Sequence, residues 1–469
     1  MRAMSAKLLF AAFLAVSACS RGGYDPPAGM DPPDSGGIPD AAMRVPDAAA
    51  VDAAAADAGG LDPATCPVGA LDGCCPIGIA FGGHDPDCLS LACNPLIVSP
   101  AAPIPLESDW QESGQGGVGM AWTGSELVLA WSSWRSTMAS RVATIAYQRR
   151  NGSGALTLGP SSADDARSGS GNGHSQAELG FEPGSRTLLF TSQAASSRYG
   201  ELLAADGKPA SPPVLFGANC NSITSRQQVY PAPGRFLVAQ EEATCGGPAF
   251  RGPRVDLVGT DGKLQATQRG DSSYSLGMAY DQRAGRVLFS SGASGVLVRF
   301  FTPPSSWSSP ISLGGGDTDE TGAAFDGTHY AIAHGLYHFD GVGVATTPAM
   351  QVWTIPDPPA SPSGASDVTL VGQPKLLQVP PRLIWTGDGW LVLSTVYPSN
   401  GLGLPDSWTQ FVTWVSSLAP DGTLRQTFRL DDQPAFLVNA IWAGGRVAVT
   451  WVTTDGSRER HFLRWLSCK

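Results

Sequence analysis

From residue 118 onward the chain repeats one arrangement of apolar and polar positions. A short apolar triplet ending in an aromatic residue leads into a Gly-containing turn, and an unbroken apolar run follows. The triplets and runs are Met120-Ala121-Trp122 with 127–131, Leu179-Gly180-Phe181 with 188–190, and Gln228-Val229-Tyr230 with 236–239. Then come Met278-Ala279-Tyr280 with 287–289, Ala323-Ala324-Phe325 with 330–333, Leu383-Ile384-Trp385 with 390–393, and Ala440-Ile441-Trp442 with 447–451. Successive aromatics lie 45 to 60 residues apart, a period that marks a repeat architecture.

Each copy reads as a β-hairpin. The second strand shows little polar alternation, so both of its faces must be buried. Less uniform segments follow, with turn tips at Asn151-Gly152, Asp206-Gly207, Asp261-Gly262 and Asp421-Gly422, the dipeptides that tight hairpin turns require. Four strands per repeat, stacked radially, bury inner strands on both faces. The expected fold is all-β and resembles a β-propeller of seven four-stranded blades over 95–469. Neither the Gly-His and Trp-Asp signature of WD40 repeats nor a kelch Gly-Gly series is present. The last repeat runs out after 461–466, one strand short. The segment 95–99 is an unassigned strand candidate, and pairing it there would close the ring and leave no long open edge.

The N-terminus has another character. Arg2 and Lys7 precede the apolar run 8–16, too short for the ~20 residues that span a bilayer and typical of an export signal. It ends in Val16-Ser17-Ala18-Cys19, which resembles the lipobox of bacterial lipoproteins. That resemblance implies a signal peptide over 1–18, acylation of Cys19 (palmitate or a similar chain) and attachment to the membrane. Ser20 in place of Asp implies the outer membrane. Residues 19–65 form an Asp-, Ala- and Pro-rich tether, with eight Asp against two Arg between 20 and 62, too polar to bury a core. The formal net charge of −11 argues against a grip on nucleic-acid phosphates. A total of 57 Gly and 38 Pro argues against long helices.

Nine Cys are present. With Cys19 acylated, an even number remains for an oxidising compartment. Cys66, Cys74, Cys75, Cys88 and Cys93 fall in a segment, 66–94, with too little apolar content for its own core. A disulfide-stapled module fits. Zinc is the rival reading, and it lacks a Cys-x-x-Cys pair. Cys220 with Cys245, and Cys93 with Cys468, are the further disulfide candidates; the second would clasp the ring.

No nucleophile elbow, zinc-protease motif, P-loop or dinucleotide fingerprint occurs. Catalytic residues are therefore expected to be none. Asp317 and Asp319 resemble the first half of a calcium loop, but the twelfth position is Thr328, not Glu, so no cofactor is expected and calcium stays a weak alternative. His84, Asp85 and Asp87 read as a solvated turn. His329, His334 and His338 read as separate structural residues. Trp131, Trp134, Trp307, Trp353, Trp390 and Trp408 are either packing or sugar-stacking platforms. The expected function is a monomeric, membrane-anchored propeller that binds protein or glycan without catalysis. The alternative is a hydrolase or lyase acting on extracellular polysaccharide, which needs carboxylates converging near the axis; Asp281, Asp326 and Asp388, each following the first strand of its repeat, are the candidates, and the same positions read as ordinary hairpin turns.

Overall fold

A computed structural model describes residues 97–467 except 107–116, 137–140, 165–176, 195–196, 219–226, 244–250, 272–273, 293–295, 315–320, 328, 336–337, 340–343, 346–348, 357–362, 370–375, 379–380, 388, 399–410, 444 and 455–458. The signal, Cys19, the tether and the 66–94 module lie outside the described residues. So do Cys220, Cys245, Cys468, Asp317, Asp319, Asp388 and Trp408.

The chain is an all-β propeller. Six blades are made of consecutive antiparallel strands. Blade one holds Gly119–Trp122, Glu126–Ser136, Arg141–Asn151 and Leu156–Asp164. Blade two holds Glu178–Glu182, Thr187–Ala194, Ser197–Leu203 and Val214–Ala218. Blade three holds Gln227–Ala232, Arg235–Ala243, Arg251–Gly259 and Leu264–Arg269. Blade four starts at Tyr274–Asp281, blade five at Thr321–Phe325, and blade six includes Arg382–Trp385 against Trp390–Pro398.

The remaining sheet is composite. Phe436–Ala443, Arg446–Thr454 and Glu459–Ser467 come from the C-terminal end, and the N-terminal strand Ile97–Pro105 pairs outside them. Its register sets Ile97 opposite Ser467 and Val98 opposite Leu466, with an irregularity between Ser99 and Ile104. The segment expected to complete the last sheet thus does so.

Seven uniform four-stranded blades are not what the chain builds. Six blades are consecutive, and the sheet that joins the two ends is composite. Blades four and six have five strands, because a short extra strand pairs at an edge already in use: Ile311–Gly314 in blade four and Leu376–Gln378 in blade six. A further two-stranded ladder, His338–Phe339 with Val344–Ala345, sits within blade five's connection. The sequence period could not register these short pairings, which have too few residues to show an apolar pattern.

Alternation along each second strand explains the continuous apolar runs. Leu127, Leu129 and Trp131 pack with Ala448, Leu463 and Trp465 of the composite sheet. Val128 and Ala130, between them, pack with Leu179, Phe181, Leu188 and Phe190 of blade two. Leu391 and Leu393 likewise face the composite sheet, while Trp390 and Val392 face blade five. One strand therefore serves two cores, with about 1.5–3 kcal/mol for each large side chain fully buried.

In a four-stranded meander the first and third turns lie on one face of the ring, and the remaining connections lie on the other. The tight turns carry their expected residues. Gly207 has φ +84°, a conformation costly for residues with a Cβ, and it packs on the ring of Tyr147 in blade one. The tips meet around this face: the Tyr147 hydroxyl donates to Ala205 O at 3.4 Å, and Arg446 Nη1 donates to Gly152 O at 3.2 Å.

Candidate functional site at the ring axis

The innermost strands line the axis, each ending in one of the repeated aromatics. Three positions before each aromatic the chain carries Gly119, Glu178, Gln227, Gly277, Gly322, Arg382 and Asn439. Three of these are glycine because the inner strands approach closely there. A Cβ on Gly322 would lie 2.3 Å from Pro381 O, and one on Gly277 would lie 2.9 Å from the Gly322 carbonyl carbon.

Three polar members of that set, Glu178, Arg382 and Asn439, meet across the axis and are joined by Gln228, while Gln227 turns to Thr191. Arg382 Nη2 donates to Glu178 Oε1 at 2.5 Å, joining blades six and two. Asn439 Nδ2 donates to Val118 O at 2.9 Å and to Glu178 Oε2 at 3.3 Å, which brings in the composite sheet. Gln228 of blade three, with its carboxamide oxygen toward Arg382, accepts from Nη1 at 2.7 Å and donates to Met278 O of blade four at 3.1 Å. Glu178, Gln228 and Asn439 are all buried. A charge in such surroundings needs a partner and further hydrogen bonds, and Glu178 has both.

Beside this cluster lies a small cavity of about 10 Å³, room for roughly one water, lined by Gln228, Tyr230, Met278, Tyr280, Phe325 and Leu383. Tyr230 and Tyr280 stack with ring centroids 5.2 Å apart. Burial, helped by Asp281, raises the Tyr280 pKa to about 12.

A second buried polar cluster lies at the seam of blades two and three. Arg254 forks onto Asp256 through Nε and Nη2 at 2.8–3.0 Å, and its Nη1 donates to Glu242 Oε1 at 2.7 Å. Asp256 also accepts from Thr267 Oγ1 and Gln240 Nε2, each at 2.6 Å. Arg198 Nη1 reaches Gln240 Oε1 at 3.0 Å. Burial lowers the Arg198 pKa to about 10, against the opposing pull of Glu241. Burial raises the Asp256 pKa even though Arg254 opposes it. Glu242 is also pushed up by burial, but Arg269 and Arg254 outweigh that and hold it below the ordinary range.

The carboxylates expected near the axis are turn residues. Asp281 Oδ1 accepts from the N–H groups of Arg283 and Ala284 at 3.0 and 3.2 Å, and Oδ2 accepts from the Tyr330 hydroxyl at 3.4 Å. Asp326 accepts from the N–H of His329 at 2.5 Å and faces its Nδ1 at 3.3 Å. They sit at the hairpin ends, one residue past the aromatics. His329 belongs to that turn, while His334 pairs with Thr321 in the blade-five hairpin. Trp131 and Trp390 are buried packing residues. Among the described residues no group of three or more His, Cys, Asp or Glu is placed to hold a metal ion, and no helix is long and apolar enough to cross a membrane.

Sequence reasoning overlooked Glu178, Arg382 and Asn439. The signal was present as a polar residue three places before an aromatic, on strands whose intervening residues are apolar or glycine, as in Glu178-Leu179-Gly180-Phe181.

No protein-family model matches the chain, and no curated protein matches it. Solved structures do. The β-propeller domain of Cps50 (Swd1) from Myceliophteria thermophila shares 11% identity at TM-score 0.46, covering 79% of this chain and 99% of that one. The polysaccharide lyase Uly1 shares 9% at 0.48, covering 81% and 100%. The C-terminal WD40 domain of Sif2 shares 9% at 0.39, covering 78% and 98%. Such scores carry no argument about function. The chain is similar to these propellers, and its own strand order identifies the architecture.

Proposed function

We propose that this protein is a lipid-anchored, non-catalytic binding module of the bacterial cell envelope, with a protein or glycan as its partner. The observation that carries the reading is the occupied axis. Glu178 is committed to Arg382 and Asn439, and Asp281 and Asp326 are committed to turns. Hydrolysis of a glycosidic bond by paired acid and base needs two carboxylates flanking that bond. The lipobox resemblance at Cys19 and the polar tether supply the anchor in this reading. The disulfide candidates suit the same oxidising compartment.

Two measurements test it. Metabolic labelling with a palmitate analogue is expected to mark the wild type and not Cys19→Ser; equal labelling would remove the anchor. Incubation with acidic and neutral polysaccharides is expected to release no reducing ends and no unsaturated products, while glycan-array or pull-down binding persists in Asp281→Asn. Product formation lost in that variant would replace the binding module with an enzyme.

A further inference from the structure

The strand that closes the ring is stitched more loosely than its neighbours. Ile97–Pro105 pairs with Glu459–Ser467 at five positions in two blocks, 97–99 against 465–467 and 104–105 against 462–463. Between the blocks it takes five steps while its partner takes two. On its other side Glu459–Ser467 pairs with Arg446–Thr454 at eight consecutive positions. Pro100, Pro103 and Pro105 of the closing strand have no N–H to give. Proline and an irregular register suit an outermost strand, since both discourage a further strand from adding to it. They also leave a ladder with fewer bonds to break.

Glu459–Ser467 is held from both sides by other blades. Leu463 and Trp465 pack with Met120, Leu127, Leu129 and Trp131 of blade one. Leu466 packs the other way, with Leu391 and Leu393 of blade six. All of these side chains are buried. Among the described side chains near the closing strand, partly buried Ile104 and buried Leu106 join the blade-one cluster, and Leu106 N donates to His461 O at 2.9 Å. The described contacts that hold the strand are thus a broken ladder and one pair of apolar side chains. Segments with few apolar contacts open at free energies well below that of global unfolding.

We propose that Ile97–Pro105 is a releasable clasp, which lifts from the ring as one unit while Glu459–Ser467 and the six consecutive blades stay folded. The composite sheet then alternates between a covered and a bare edge. A bare edge carries unpaired N–H and C=O groups, the template on which an extended segment of another chain adds.

The backbone supplies the readout. In an antiparallel ladder both polar groups of a residue point to the same neighbouring strand. The His461 carbonyl receives Leu106 N, so His461, Leu463, Trp465 and Ser467 face the clasp. Phe462, Arg464 and Leu466 between them face Arg446–Thr454. Native-state hydrogen exchange on the full-length protein, resolved by residue over a series of low urea concentrations, reads the two sets separately. The set facing the clasp, with Ile104 and Leu106, is expected to exchange at least about tenfold faster than the other and to respond little to urea, because little surface is exposed on release. Ile104→Ala is expected to widen that gap several-fold and to leave the other set unchanged; an unchanged gap overturns the proposal. Equal protection of both sets, with exchange rising in urea alongside Val128 and Leu129 of blade one, would mean that the strand leaves only when the ring unfolds, and overturns it. Loss of both sets together, ahead of Val128 and Leu129, would make the whole composite sheet the opening unit and overturns it equally.

Discussion

The axis and the seam between blades two and three hold the same chemistry with different topology. Each sets an arginine against a buried carboxylate and completes the pair with amide side chains. In the seam, Arg254 finds Asp256 two residues away and Glu242 twelve away, within one blade. At the axis, Arg382 and Glu178 are 204 residues apart, and Asn439 and Glu178 are 261 apart. The seam network can assemble as soon as blade three does. The axis network exists only when distant blades have come round to meet. A buried ion pair is a weak source of net stability in either place, so the contrast lies in what each pair specifies: one the packing of a blade, the other the closure of the ring.

The largest expected effect lies in the seam. Arg254→Met leaves buried Asp256 without its arginine and Glu242 with Arg269 alone, and loss of one partner from a buried pair costs about 3–5 kcal/mol. Equilibrium urea unfolding should show a midpoint shift of that size. A shift under 1 kcal/mol would mean the cluster is hydrated.

Arg382→Met should cost less, about 2–3 kcal/mol, since Arg382 is partly exposed. The kinetics should separate the two regions more clearly than the energies. Contacts made after the transition state change unfolding rates and leave folding rates alone. Arg382→Met is therefore expected to accelerate unfolding with little effect on refolding, while Arg254→Met slows refolding as well. Equal partitioning in stopped-flow measurements would erase the distinction.

Alkaline titration sharpens it further, because the regions respond with opposite signs. Tyr280 on the axis wall has its pKa raised to about 12, and burial also raises Tyr147 and Tyr330. Stability tied to a raised tyrosine is complete below pH ~10 and is lost as pH climbs through the folded value. Arg198 in the seam is depressed to about 10, so the unfolded chain holds its proton longer and stability from this group rises above pH ~10. The tyrosines outnumber it, and net stability should fall above pH ~10 in step with phenolate absorbance. Tyr280→Phe should make that fall shallower, and Arg198→Met should make it steeper. The reverse order would contradict the assignment of the two groups.

The smallest effect is expected at an exposed tip. Asn151 Oδ1 accepts from the N–H groups of Ser153 and Ala155 at 3.1 and 2.9 Å, and Asn151→Ala should cost under about 1 kcal/mol. It serves as the control for both regions.

Much of the fold was legible because its cause is local. An inner hairpin buried on both faces must be apolar throughout, and a tight turn must carry residues such as Asp206-Gly207 or Asp261-Gly262. The three-stranded C-terminal repeat also predicted its own completion, which Ile97–Pro105 provides. The short extra strands of blades four and six were not legible, since their pairing depends on an edge elsewhere in the chain. The polar contacts at the axis were not legible for a related reason. Asp281 and Asp326 stand out in the sequence as carboxylates after inner strands and also read there as ordinary hairpin turns, and the turn bonds are what the structure has, with the Tyr330 hydroxyl added at Asp281. Glu178 and Arg382 look like isolated charges until the ring brings their strands together.

The central claim is that these two residues are coupled across the axis. A double-mutant cycle with Glu178→Gln, Arg382→Met and the pair of changes together, read by equilibrium unfolding, tests it directly. A coupling energy of about 1.5 kcal/mol or more, with the double variant more stable than the sum of the single losses implies, is the predicted result. Losses that add within about 0.5 kcal/mol would mean that the two side chains do not meet and that the axis stands open.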